Sequence, residues 1–202
     1  MKWILAATAV VIALSLDSCA TVGGLSGSKP QTPVEAAPPA KQRTDKSALR
    51  QSVLVEAENH LGVPYKSPPS MPRNFDCSGF VNYVFSKASG ETLPMASPAY
   101  RTIGKEIDFK DAQPGDLLVF ASRPGGSTIN HVAILYRKSR TGKLRGSWLI
   151  HAVSIPTKTS TIKGNPNSES VVISEMGKRG DGDWRNEYFL ARYVCARRVL
   201  NE

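Results

Sequence analysis

Three cysteines (Cys19, Cys77, Cys195) and three histidines (His60, His131, His151) are all that the 202 residues contain. The cysteines are too widely spaced for a structural zinc site, so no metal or other cofactor is expected. No glycine-rich phosphate loop is present, and no internal repeat points to a solenoid. The apolar run from Trp3 to Leu16 is about 14 residues long, too short to span a bilayer stably. Acidic residues are outnumbered, 17 against 26 basic ones, for a formal net charge of +9. A surface of that sign raises encounter rates with anionic partners.

What is present at the N-terminus reads as an address. Lys2, the apolar run and Asp17-Ser18-Cys19 describe a secretory signal over residues 1–18. Leu16 and Ser18 before Cys19 resemble a bacterial lipoprotein cleavage box, although Asp17 is unusual inside one. Cys19 is therefore expected to carry lipid, whose several acyl chains supply stable membrane anchoring. In that resemblance Ala20 after the cysteine favours the outer membrane, facing the periplasm. Loss of the signal would leave the net charge unchanged, since Lys2 and Asp17 cancel. The export signal argues against a nucleic-acid partner. Residues 19–44 are rich in Gly, Ser, Pro, Ala, Gln and Lys and are expected to form a disordered tether with a reach on the order of 25–30 Å. Residues 45–202 are long enough for one domain with its own core.

The chemistry concentrates in Asn74-Phe75-Asp76-Cys77-Ser78-Gly79-Phe80-Val81-Asn82-Tyr83-Val84-Phe85. Phe80, Val81, Val84 and Phe85 recur with helical period and Asp76 stands in N-cap position. A thiol at that helix start feels the positive end of the dipole and unpaired backbone N–H groups, which favour thiolate and predict a lowered pKa. Small Ser78 and Gly79 leave room for a substrate carbonyl. His131 opens the alternating run Asn130–Tyr136, and His151 lies in a second run, Trp148–Val153; both read as strands. An imidazole at a strand end can take the thiol proton, oriented by a polar residue on the next strand. Equally, a cysteine is often a small core hydrophobe, and strand histidines are often satisfied by backbone carbonyls. The residues alone leave both readings open.

Three ordered blocks narrow them. Asp76-Cys77-Ser78-Gly79-Phe80, Gln113-Pro114-Gly115-Asp116-Leu117-Leu118-Val119-Phe120 and His131-Val132-Ala133-Ile134 resemble the signature blocks of the NlpC family, bacterial cell-wall cysteine peptidases of compact papain-like fold. The resemblance runs from about Leu54 to Leu200. It implies Cys77 as nucleophile, His131 as general base and His151 as the residue that orients it. Gly62-Val63-Pro64-Tyr65 resembles the family's upstream turn, which would place Tyr65 beside the nucleophile, with Asp76 and Ser78 completing an oxyanion and substrate-binding set. The implied activity is hydrolysis of peptidoglycan stem peptides at the bond between the γ-carboxyl of D-glutamate and the diamino acid (meso-diaminopimelate), by a monomer in the cell envelope. A non-catalytic wall-binding lipoprotein, or a thiol-dependent amidase or acyltransferase, is the alternative. The chain departs from the pattern in a proline-rich loop, residues 66–73, where an aromatic-Gly-Gly stretch is common. Met95 and Tyr100 stand where an arginine and a glutamine are frequent.

The expected fold is α+β, with N-terminal helices packed on a five- to six-stranded antiparallel sheet. Helices are predicted from Thr44 or Asp45 to about His60, from Cys77 to about Ala88 with a stop at Gly90, and briefly from Ser97. Strands are predicted at about 117–121, 131–137, 147–153, 170–174 and 188–199. His60 is expected to be solvated, Cys195 to be a core thiol, and Asp116 to shape a turn at strand entry. Lys138, Arg140, Lys143 and Arg145 in one hairpin loop, and Arg192, Arg197 and Arg198 in the last strand, read as solvated charges. The long segment 154–170 reads as one wall of a cleft.

Overall fold

The computed structural model describes residues 40–154, 169–177 and 184–200, with backbone alone at 40–44 and 184–186. The expectations for the signal, for Cys19, for most of the tether and for most of the 154–170 loop therefore lie outside the described residues.

Helix α1 spans Ala40–Glu58 and α2 spans Cys77–Ser89. The first begins a turn earlier than predicted, since no strong breaker precedes Thr44. The second ends where Gly90 adopts φ 75° and its N–H reaches back to the Ser86 carbonyl, the left-handed cap that glycine allows. A short 3-10 turn follows at Ser97–Arg101, with Pro98 in its first turn. Six strands form one antiparallel sheet: β1 Lys105–Ile107, β2 Leu117–Ala121, β3 Ile129–Arg137, β4 Trp148–Val153, β5 Ser170–Glu175 and β6 Tyr193–Arg198. Their spatial order is β1-β6-β2-β3-β4-β5.

Two corrections concern β6 and its neighbours. The predicted strand at 188–199 is a helix, α3 (Trp184–Arg192), followed by β6. Trp184, Tyr188 and Ala191 recur at helical spacing, a signal overshadowed by the β-branched and aromatic residues behind it. Strand β1 has no apolar alternation to announce it. It is a three-residue edge whose Glu106 pairs across to Arg197.

Helices α1 and α2 bury Val53, Ala57, Phe80, Val81, Val84 and Phe85 against Val119, Val132, Ile134, Ile150 and Ile173 on one sheet face. The other face gathers Leu118, Phe120, Ala133, Leu135, Leu149, Val172 and, from α3, Phe189. With both faces covered, β2 is buried along its whole length, which explains its unbroken apolar run. Cys195 lies in the first cluster, a core thiol, and both it and Cys77 are free.

The start of α2 is held by its neighbours. Gly62 (φ 84°) turns the chain so that its N–H meets the Val171 carbonyl, and the Tyr65 N–H meets Glu169. Lys66 and Phe75 then bridge back onto the same segment, Lys66 N–H to Phe75 carbonyl and Phe75 N–H to Pro64 carbonyl. The Gly62–Tyr65 turn is thus stitched to the start of β5 on one side and to the residues preceding Cys77 on the other.

Candidate active site

Cys77 is the first residue of α2, and Asp76 caps it by accepting the Gly79 N–H at 2.7 Å. The cap is tight enough that a Cβ on Gly79 would sit 2.9 Å from Asp76 Oδ1 and 3.0 Å from Pro69 Cγ. Pro69 belongs to the proline-rich loop 66–73, which therefore lies directly over the first turn of α2. Ser78 is buried, and its hydroxyl donates to the Met95 carbonyl at 2.8 Å and approaches Asp76 Oδ1 at 3.2 Å. Tyr100 is buried beneath the same turn, its hydroxyl donating to the Pro94 carbonyl at 2.8 Å. Met95 itself is half exposed, an apolar surface side chain joined to Ser78, the neighbour of Cys77, through its own backbone.

The sulfur faces the beginning of β3. Its thiol donates to the Asn130 carbonyl at 3.8 Å, and the Val132 N–H points at it from the other side of His131. No hydrogen bond joins the sulfur to the His131 ring among the described residues. The two histidines are joined directly: His131 Nε2 lies 2.9 Å from His151 Nδ1. His151 is fully buried, and its Nε2 lies 2.8 Å from the Ser174 hydroxyl on β5. The three groups therefore form a continuous chain from β3 through β4 to β5. Tyr65 is half buried; burial raises its pKa, with Cys77 and Asp76 adding to the rise through their charges, so its hydroxyl stays a donor within the field of Cys77.

The electrostatics correct one expectation. Burial pushes the Cys77 thiol up, and the backbone N–H groups of Val132, Ser78 and Cys77 only partly oppose it, while the Asp76 charge adds to the rise. Desolvation outweighs the helix start because the sulfur sits against the strand instead of open solvent. Burial likewise lowers His131 to about 3 and takes His151 well below its usual range, with His131 contributing to the latter. Thiol and both imidazoles are neutral at rest.

Two residues of this site had no place in the sequence reading. Phe189 of α3 stacks near both rings, with centroids 5.0 Å from His131 and 4.8 Å from His151, and packs edge-on to Phe120 at 5.3 Å. It is the aromatic cover that dries the pair. Ser174 is the other; its place follows from β5 register, in which Val172 faces His151. His60, expected in solvent, is instead packed edge-on between Phe75 and Tyr83 and bonded to Glu56 at 3.0 Å. No group of three or more His, Cys, Asp and Glu that could hold a metal ion occurs among the described residues.

The NlpC/P60 family model matches residues 62–198. The "Probable endopeptidase p60" of Listeria seeligeri is 44% identical over 82 residues, 41% of this chain and 15% of that protein. The "Gamma-DL-glutamyl hydrolase" of Bacillus subtilis is 36% identical over 104 residues, 48% of this chain and 25% of that protein. The chain thus spans a quarter or less of the length of these curated relatives. A crystal structure of an NlpC/P60 family protein from Bacillus cereus superposes with TM-score 0.56 at 25% identity, covering 75% of this chain and 40% of that one. One described as similar to lipoprotein, from Staphylococcus aureus, gives 0.54 at 26%, covering 76% and 42%.

Proposed function

The chain belongs to the NlpC/P60 family, and from that premise we propose that it is a cysteine peptidase cleaving peptidoglycan stem peptides at the bond between D-glutamate's γ-carboxyl and the diamino acid. The observation that carries the reading is the bonded pair His131–His151 standing at the strand end that Cys77 faces. The glutamyl bond is supported by the hydrolase relative from Bacillus subtilis, whose name specifies a γ-glutamyl linkage.

In this mechanism the thiol leaves the Asn130 carbonyl and gives its proton to His131 Nδ1, because Nε2 is committed to His151. The sulfur adds to the peptide carbonyl, forming the C–S bond. The developing oxyanion is met by the N–H groups at the start of α2 and by the Tyr65 hydroxyl. His131 then protonates the departing amine nitrogen as the C–N bond breaks. Water, deprotonated by the same nitrogen, attacks the thioester; the C–S bond breaks and the proton returns to sulfur. Because thiol and imidazole start neutral, charge separation occurs within the step and is supported by His151 behind His131.

The anchoring of the protein through lipid on Cys19, in the outer membrane and facing the periplasm, belongs to the same proposal and rests on the signal-like N-terminus. The test is incubation of the protein and its Cys77→Ala variant with purified peptidoglycan and defined stem peptides, with products read by mass spectrometry. Cys77-dependent fragments ending in D-glutamate are expected. Full cleavage by Cys77→Ala would refute the mechanism. Binding to the wall without released peptides, by folded and reduced protein, would favour a wall-binding role.

A further inference from the structure

We propose that Ser174 is a positioning residue that accepts a hydrogen bond from the His151 Nε2–H and thereby keeps Nδ1 of His131 free to receive the proton of Cys77. The inference rests on the cysteine-peptidase reading above, but its principal readout does not require turnover.

The contacts are His131 Nε2 to His151 Nδ1 at 2.9 Å and His151 Nε2 to Ser174 Oγ at 2.8 Å. Two proton arrangements satisfy this chain. In one, each Nε2 carries hydrogen: His131 donates to His151 and His151 donates to Ser174. In the other, Ser174 donates to His151 and His151 donates from Nδ1 to His131. The second puts the His131 proton on Nδ1 and removes the base from the thiol.

Catalysis discriminates between them. Once His131 has taken the thiol proton, both of its nitrogens carry hydrogen. Its Nε2–H then needs the lone pair of His151 Nδ1, so the His151 proton must sit on Nε2. That N–H points into a fully buried place on the sheet, lined by Phe189 on one side, where an unmatched donor is costly. Ser174, only 2% exposed, is the acceptor there. Without its hydroxyl the first arrangement strands a donor, whereas the second leaves only an unmatched lone pair. Loss of the hydroxyl therefore shifts the pair toward the inactive arrangement. No atom other than hydrogen moves; Ser174 meets neither substrate nor sulfur and acts through His151 alone.

The test combines ring-nitrogen NMR with kinetics on the full chain. In the wild-type protein, 15N shifts are expected to show both His131 and His151 protonated at Nε2. Ser174→Ala is expected to lower kcat about 10- to 100-fold with KM within about twofold, and to move His151 toward Nδ1–H. Ser174→Thr, which retains the hydroxyl, is expected to restore most of both. Wild-type His151 protonated at Nδ1 would overturn the proposal, and this spectrum decides even where the alanine variant fails to fold. So would an alanine variant with unchanged kcat, or one that loses activity while its ring protonation is unchanged. Wild-type protein that cleaves no stem peptide would count against the peptidase reading alone, since the ring spectra are recorded without substrate.

Discussion

At Cys77 two physical influences oppose each other. The first turn of α2 offers backbone N–H groups that favour the thiolate, but burial against β3 favours the thiol and wins. The same drying acts on His131 and His151, both held neutral, and Phe189 is the side chain that imposes it from the far face of the sheet. A consequence for stability follows from the sign of the shift. The folded-state pKa of His131 is about 3, below its unfolded value, so the folded protein binds fewer protons than the unfolded chain across the interval between them. Its contribution to stability is complete above about pH 6.5 and is lost as pH falls toward 3. Between pH 6.5 and 5 most carboxylates remain ionised, so the buried histidine pair should dominate. Urea midpoints should fall across that window in the wild type and fall less steeply in a His131→Gln, His151→Gln variant. Equal slopes in the two proteins would contradict the burial assignment.

At the level of elements, the active site is a junction of three: the start of α2, the start of β3 and the proline-rich loop. Gly79 is where the helix start and the loop meet. Any side chain there must displace Asp76 Oδ1 or Pro69, so the N-cap and the loop are coupled through one missing Cβ. Gly79→Ala should cost about 1 kcal/mol or more of stability, on the scale of a lost N-cap. It should also lower kcat, because the turn that aims the sulfur shifts with it. Thermal melting and stem-peptide kinetics measure the two effects, and an alanine variant with wild-type melting and turnover would show that the close approach is slack. Helix α3 packs on the opposite face through Phe189, and at the surface Arg145 bonds the Glu187 carboxylate at 2.6 and 3.1 Å and reaches the Gly177 carbonyl. Both side chains are about half exposed, so Arg145 remains the solvated loop charge its sequence context suggests, paired across the surface with α3.

Across the whole molecule, Asp116 joins the helical layer to β6, an inner strand of the sheet. Its buried carboxylate receives Arg50 from α1 at 2.8 Å, Arg198 from β6 at 2.8 and 3.0 Å, and the Gln113 N–H at 2.8 Å. The turn role expected for it is present in the Gln113 bonds, but the two guanidiniums make it a tie between the two ends of the domain. Arg198 is accordingly partly buried against Asp116, and Arg197 is buried and paired with Glu106 at 3.0 Å, so these two β6 arginines are structural cations. Asp116→Asn removes the charge on which both guanidiniums converge, and breaking a buried pair this way costs about 3 kcal/mol. Denaturant midpoints should register that loss. An unchanged midpoint would mean the cluster is balanced by desolvation and contributes no net stability.

Features set by local physics were legible in the order of the amino acids. Apolar periodicity specified α1, α2 and strands β2 to β5; Asp76 and Gly90 specified the ends of α2; and the ordered blocks around Cys77 and His131 pointed to the family. Tertiary structure decided what depends on register and burial. His151 Nε2 meets Ser174 only because β5 lies beside β4 in one particular register. Phe189 reaches the histidines only because residues 184–192 coil instead of extending. His60 is drawn partly out of solvent only because Phe75 and Tyr83 close around it. The protonation of the nucleophile was likewise undetermined until the sulfur's surroundings were known: a helix start has a fixed sign, whereas desolvation depends on every element packed around it.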